Sequence, residues 1–409
     1  MGKRPDLEAD TMTTAQLRTV GIQAGLAAVG VTDTAVLEPA RSVLPSRREM
    51  GLASTMQFTY RNPERSTDPS RLLPGAASLV VGVFDYERFT RPTEPTDADG
   101  SVVGRVARYA TFDAYAELRA GLGAIAAELE GCGYRTRVVA DDNALVDRNA
   151  AWRAGLGWYG KNTNLLVRGS GSWYVIGAVA TDAVLSADSP PVADGCGPCS
   201  ACLDDCPTGA LVAPGVLDAR RCIAWLVQAG EPIPVEHRAA VDDWLYGCDI
   251  CQDVCPPNRV MIRRGASKTA GQHGGSTSAG QHGGSTSAGQ HRGSPGPQVD
   301  VMWVLSATDD ELLDRCGRWY IAGRNPDVIR RTALVVLGNR ADGADPATSE
   351  LLSRYVRDPS PLLRAHAVWA SRRLGLDDLA TATRDDPDAL VRAEWASPVA
   401  PRHEERTGG

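Results

Sequence analysis

Histidine is scarce in this chain of 409 residues. There are six in all, and His273, His282 and His291 fall in one repeating low-complexity stretch. With only His237, His366 and His403 left, the composition argues against a His-based catalytic centre. Long apolar runs are also missing: nothing approaches the ~20 apolar residues of a membrane span, so no membrane association is expected. The charged start, Met1 to Asp10, has no apolar core and shows no signal peptide. Basic charge is not in surplus either, with 43 Lys and Arg against 50 Asp and Glu, net −7. That argues against non-specific nucleic-acid binding by the whole surface, though not against a local basic face.

What the chain does have is ten cysteines, most of them clustered. Cys196-Gly-Pro-Cys199-Ser-Ala-Cys202-Leu-Asp-Asp-Cys206-Pro207 has the spacing C-x2-C-x2-C-x3-C-P, the bacterial ferredoxin signature for iron–sulfur ligation. A shorter relative follows, Cys248-Asp-Ile-Cys251-Gln-Asp-Val-Cys255-Pro256. Two [4Fe–4S] clusters take eight thiolates, and Cys222, the other cysteine between the motifs, completes the count. In two-cluster ferredoxins the Cys before the Pro ligates the opposite cluster. By that rule Cys196, Cys199, Cys202 and Cys255 hold one cluster, and Cys206, Cys222, Cys248 and Cys251 the other. Paired zinc knuckles also use C-x2-C. The C-x2-C-x2-C tripod, the prolines and the lack of nearby His weigh for clusters. Thiolates kept reduced imply a cytoplasmic protein. Cys132 and Cys316 have no partner pattern and read as ordinary buried thiols.

Around this centre the chain falls into four segments. Residues 13–190 alternate helix and strand and read as an α/β domain. Leu17, Val20, Gly21, Ala24, Leu26 and Ala27 give a helical period after a Thr13 or Thr14 cap, ended at Gly30-Val-Thr. Ser78–Phe84 is an apolar buried strand, 87–104 a polar loop, 115–130 a long helix, 135–140 and 172–180 further strands. Residues 191–262 form the ferredoxin-like segment. Residues 263–299 carry a nine-residue Gly/Ser/His repeat over 270–293 that cannot bury a core and reads as a flexible linker. Residues 300–397 are helical, with Asp-Pro turns at Asp345-Pro346, Asp358-Pro359 and Asp386-Pro387, in the manner of a small HEAT-like solenoid. Between Arg318 and Asp378 there are ten Arg against seven acids, as consistent with solvation as with tRNA contact.

Two clusters alone make an electron carrier, which has no need of a large α/β domain. The electrons are therefore expected to go to something held there. Asp141 ends a strand beside a Gly-rich turn, where open α/β sheets place ligands. A partly buried carboxyl beside Asp142 would hold its proton, as a general acid must; capping the next helix is the plainer alternative. Gly155-Leu-Gly157-Trp-Tyr-Gly160-Lys161 offers backbone N–H groups and a cation, yet is neither a Walker A loop nor a dinucleotide fingerprint.

Taken in order, Leu72-Leu-Pro-Gly-Ala76, Asp141, Ala154-Gly-Leu-Gly-Trp-Tyr-Gly-Lys-Asn-Thr163, Cys196 to Ala210, Arg221-Cys-Ile223 and Tyr246 to Pro256 resemble the cobalamin-dependent tRNA epoxyqueuosine reductases. The resemblance covers most of 13–262 and, more loosely, 300–397. It implies an α/β N-terminal cobalamin-binding domain, a two-[4Fe–4S] ferredoxin-like domain and an all-α HEAT-like C-terminal domain. It also implies cobalamin without a His ligand, suiting a chain with no D-x-H-x-x-G motif. Two clusters would feed the cobalt with electrons, and tRNA epoxyqueuosine at the wobble position would be reduced to queuosine. A low-potential donor such as ferredoxin or flavodoxin and a monomeric state are the corresponding partner expectations. Asp141 matches the family's proton donor, and Arg61, Asp141, Lys161, Asn162 and Asp249 fall at positions expected to face cobalamin. The family has Thr or Ser, then Ala/Gly-Pro, after its acid. Here Asp142-Asn143-Ala144-Leu145 follows, so Asp141 and Asp142 compete, and the count back from Ala154-Gly155 favours Asp141. Pro256-Pro257-Asn258 replaces the usual Pro-Trp-Asn. The same module resembles that of reductive dehalogenases, so a small-molecule substrate is the first rival and a non-catalytic electron carrier the second.

Overall fold

The computed structural model describes residues 13–87, 101–187, 190–262 and 296–399. The repeats over 270–293, most of the 87–104 loop and Met1 to Asp10 lie outside the described residues. Contacts divide the chain into two units: residues 1–89, 113–219 and 250–281 form one, and 90–112, 220–249 and 282–409 the other.

In the first unit Thr13 opens helix α1 (Thr14–Gln23) with a capping box. Its hydroxyl accepts the Gln16 N–H at 3.2 Å, and the Gln16 side chain accepts the Thr13 N–H at 2.7 Å. The break expected at Gly30 is instead the middle of a strand, β1 (Ala28–Asp33). Glycine is required there by close approach, since a Cβ would lie 2.4 Å from the Ala154 carbonyl oxygen. After helix α2 (Glu38–Glu49) comes β2 (Ser78–Asp85), buried at every residue. Helix α3 (Ala114–Gly131), strand β3 (Thr136–Ala140), helix α4 (Asp147–Arg153), the hairpin β4 (Gly157–Tyr159) and β5 (Leu165–Val167), and strand β6 (Tyr174–Thr181) complete the layer.

The main sheet runs β1–β2–β6–β3, each neighbour antiparallel. Both faces are covered. Leu79, Val81 and Val83 pack in one core with Ala40 and Leu44 of α2 and with Ala150 and Ala151 of α4. On the other face Leu118, Leu122, Ile125 and Leu129 of α3 are wholly buried. Gly82 and Gly177 make room for that helix, because a Cβ on either would stand 3.0 or 2.7 Å from a Leu122 methyl. Burial on both faces, rather than parallel pairing, explains the unbroken apolar run of β2.

In the second unit Val103–Val106 pairs parallel with Trp244–Tyr246 and antiparallel with Gln298–Asp300. Helices follow over Val301–Ser306, Asp309–Cys316, Asp327–Arg340, Pro346–Tyr355, Pro361–Arg373 and Ala389–Ala396. The Asp345-Pro346 turn is itself a helix start: the Asp345 carboxylate accepts the N–H groups of Ala347 and Thr348 at 3.1 Å each, and Pro346 occupies the first turn, where no N–H is needed. The Asp386 carboxylate takes a two-pronged contact from Arg364 at 2.8 and 2.9 Å, tying its turn back to the earlier helix Pro361–Arg373. The fold is thus mixed α/β with a helical C-terminal region. No helix among the described residues is long and apolar enough to cross a membrane.

Candidate functional site

The first cysteine motif lies on an irregular path with one short helix, Ala201–Asp204. Asp194 accepts the Cys196 N–H at 2.9 Å, and a turn closes from Cys199 N–H to the Cys196 carbonyl at 3.1 Å. Cys196, Cys199 and Cys202, with Cys255 of the second motif, line a cavity of about 440 Å³ that also touches Trp158, Lys161, Leu166, Pro256 and Val260. Burial pushes the Cys255 thiol up to about 11, and the neighbouring Cys196, Cys202 and Cys199 add to the rise. Cys202 is raised by burial and then by Cys196. Two thiols, Cys202 and Cys255, whose ionisation burial and the neighbouring sulfurs disfavour, call for a positive occupant. Among the described residues no three His, Cys, Asp or Glu side chains converge as on a single metal ion. The thiols surround a space instead, and a donor set of four sulfurs around such a space fits a polynuclear iron–sulfur cluster better than one zinc.

The structure places the other four sulfurs in half-buried positions, none in a disulfide. Cys206 and Cys251 belong to the first unit, Cys222 and Cys248 to the second. The Ala210 N–H points at Cys206 Sγ at 3.3 Å. Cys222 precedes the short helix Ile223–Leu226, whose Leu226 N–H returns to its carbonyl at 2.9 Å. Of the remaining two thiols, Cys132 is exposed rather than buried, whereas Cys316 is buried.

Behind Cys251 and Cys255 sits a buried polar lock. Asn258, fully buried, accepts the Ser172 N–H at 2.6 Å and donates to Ser172 Oγ at 3.0 Å and to the Gln252 carbonyl at 2.8 Å. Gln252 in turn donates to the Ser172 carbonyl at 3.1 Å and to its hydroxyl at 3.0 Å.

The turn joining β4 to β5 reaches toward both motifs. Lys161 Nζ donates to the carbonyls of Gly197 and Cys199 at 2.7 and 2.8 Å, and Asn162 Nδ2 donates to the Cys251 carbonyl at 3.1 Å. Thr163, at φ +67, makes the sharp reversal. Asp249 is buried in the second unit, where it accepts the Arg108 N–H at 2.8 Å. Arg61 is exposed, next to the Asn62-capped turn Pro63–Ser66.

Asp141 follows the last residue of β3 with φ +56, a left-handed conformation that few non-glycine residues adopt without cause. Its neighbour Asp142 is occupied, accepting the Ala144 N–H at 2.8 Å and lying 4.0 Å from Arg137. Asp141 has no such hydrogen bond among the described residues. Although its edge is open to solvent, surrounding protein lifts its carboxyl above the ordinary range; Arg119 opposes the rise and Asp142 adds to it.

Asp147, Tyr159 and Asn149 escaped the sequence reading. Asp147, at the start of α4, is raised by burial, with Asp141 contributing in the same direction. Tyr159 is pushed up to about 12, mainly by burial. Asn149 is 2% exposed, and its Oδ1 has no partner among the described residues. Asp147 resembles a routine acid in a helix first turn, and only its proximity to Asp141 distinguishes it.

The 4Fe–4S double cluster binding domain family matches residues 195–258. The epoxyqueuosine reductase of Xanthomonas campestris pv. campestris is 34% identical, over 91% of this chain and 98% of that protein. That of Bacillus subtilis strain 168 is 29% identical, over 90% and 91%. Among solved structures, an epoxyqueuosine reductase with a tRNA-Tyr epoxyqueuosine-modified tRNA stem loop superposes with a TM-score of 0.77 at 26% identity, covering 93% of this chain and 96% of that one. A selenomethionine-labelled epoxyqueuosine reductase gives 0.78 over the same shares.

Proposed function

Since the chain belongs to the epoxyqueuosine reductase family, we propose that it is an oxidoreductase that reduces epoxyqueuosine at the wobble position of tRNA to queuosine. The observation that carries the reading is 34% identity along nearly the whole of a named reductase, with the cysteine motifs inside the matched cluster domain. Converting the epoxide to the alkene consumes two electrons and two protons and releases water.

The residues fit the two kinds of group this chemistry requires. Cys196, Cys199, Cys202 and Cys255 would hold one [4Fe–4S] cluster in the cavity they line, and Cys206, Cys222, Cys248 and Cys251 the other. On the α/β side the orphaned Asn149 Oδ1, Tyr159 and the unengaged Asp141 offer polar groups to the amide-rich rim of cobalamin, and Arg61, Lys161, Asn162 and Asp249 are assigned to the cofactor side. Cobalamin, when bound, supplies the two-electron chemistry at carbon.

Asp141 holds a proton and delivers it to the departing epoxide oxygen. Partial desolvation keeps that proton on Asp141 further up the pH scale than an ordinary carboxyl would. Asp142, committed to its turn, fixes the backbone that aims Asp141. Residues 13–190 would be the cobalamin and substrate domain, 191–262 the cluster domain, 263–299 a linker and 300–397 a HEAT-like module offering its Arg to tRNA phosphates. A monomer served in the cytoplasm by a low-potential ferredoxin or flavodoxin completes the reading.

The test is Asp141→Asn, scored by nucleoside analysis of epoxyqueuosine-bearing tRNA under reducing conditions. The expected result is unchanged iron and cobalt with turnover lower by about 10²–10⁴-fold, the range of general acid catalysis. Unimpaired turnover would remove Asp141 from the mechanism.

A further inference from the structure

The β4–β5 hairpin does more than connect two strands. Lys161 spends two of its three N–H donors on the carbonyls of Gly197 and Cys199, which bracket the first motif's opening turn. Among the described residues its third N–H has no protein acceptor, and Lys161 lines the thiol cavity. Trp158, on the same hairpin, is 8% exposed, lines the same cavity, and its indole Nε1 also has no partner. The indole edge that carries this nitrogen lies against Gly195: a Cβ there would come within 2.7 Å of Cζ2 and 2.8 Å of Cε2. A buried indole N–H left unpaired is costly, so an acceptor at this place answers a need the protein leaves open.

We propose that Lys161 and Trp158 are positioning residues that raise the reduction potential of the cluster held by Cys196, Cys199, Cys202 and Cys255, and so set the step by which an electron enters it. This rests on the reading of those thiols as cluster ligands. A cubane with four thiolates carries net negative charge, and reduction adds one more. A fixed ammonium and an N–H donor beside the sulfurs stabilise the reduced form more than the oxidised one, because both interactions grow with the charge they face. The Lys161 hydrogen bonds to the loop hold the cation there in place of a freely moving side chain.

The experiment is a potentiometric titration of the holoenzyme followed by electron paramagnetic resonance, with iron and sulfide analysis on each sample. Cys202→Ala identifies which of the two midpoint potentials belongs to this quartet. Lys161→Gln keeps a donor but removes the charge. It is expected to lower that potential so that the one-electron reduction constant falls at least about threefold, about 28 mV at 59 mV per tenfold. The other potential stays fixed. Lys161→Arg restores most of the shift, and Trp158→Phe produces a smaller shift of the same sign. An unchanged potential in Lys161→Gln at full iron content overturns the proposal, since a merely structural lysine would change iron content and not potential. Should Lys161→Gln fail to load iron, Trp158→Phe decides by the same criterion. If Cys202→Ala leaves both cluster signals intact, the ligand assignment itself fails, a result distinct from an unmoved potential.

Discussion

Asn258→Ala should unlock the second cysteine motif. The side chain is fully buried and makes three hydrogen bonds, to Ser172 N–H, Ser172 Oγ and the Gln252 carbonyl. Truncation strands the buried Ser172 N–H, at about 1–3 kcal/mol, and removes two further hydrogen bonds of about 0.5–1.5 kcal/mol each from Ser172 Oγ and the Gln252 carbonyl, which keep Gln252 Nε2 and the Cys255 N–H as partners. Together they put the expected loss at about 3–5 kcal/mol. That is a large share of the 5–15 kcal/mol typical of a folded domain. The adjoining Trp173 is wholly buried and serves as the reporter. Urea unfolding of the cluster-free protein, followed by tryptophan fluorescence, should show the midpoint falling with no change in slope. Anaerobically reconstituted Asn258→Ala should hold less iron, because Cys255 hangs from the same turn. A loss below about 1 kcal/mol would refute the idea that this network holds the motif in place.

Other consequences concern the helical unit. Glu394→Ala leaves Arg238, 1% exposed and bound to it at 2.7 and 2.8 Å, as an uncompensated buried cation, at a cost of about 3–5 kcal/mol in denaturant unfolding. His366 is held well below its ordinary 6.5 by burial and by Arg238 and Arg331, so the folded state refuses a proton that the unfolded chain accepts. Stability should therefore fall as pH drops below about 6.5, by about 1.4 kcal/mol per pH unit from this group, and the same titration on His366→Gln should be flatter.

The sequence disclosed some of this architecture more readily than the rest. The cysteine spacing is local, so the quartet of Cys196, Cys199, Cys202 and Cys255 could be named from the ferredoxin rule, and these four line one cavity. The β2 run and the α3 face were legible because both are buried, and burial writes itself as apolar periodicity. Strand order was not: β6 lies between β2 and β3 through pairings that span long stretches of chain, and apolar content carries no information on direction. Gly30 read as a break because a glycine's reason there, the Ala154 carbonyl, is distant in sequence. Lys161 and Asn162 could be picked out, yet their grip on the cysteine loops leaves no spacing pattern. Asp147 was hidden by its resemblance to an ordinary first-turn acid.

Anaerobic reconstitution with iron, sulfide and hydroxocobalamin, followed by metal analysis and turnover on epoxyqueuosine-bearing tRNA, tests the central claim most directly. The account expects about eight irons and a single cobalt per chain, with queuosine formed. Iron without cobalt, or both metals without queuosine, would contradict it.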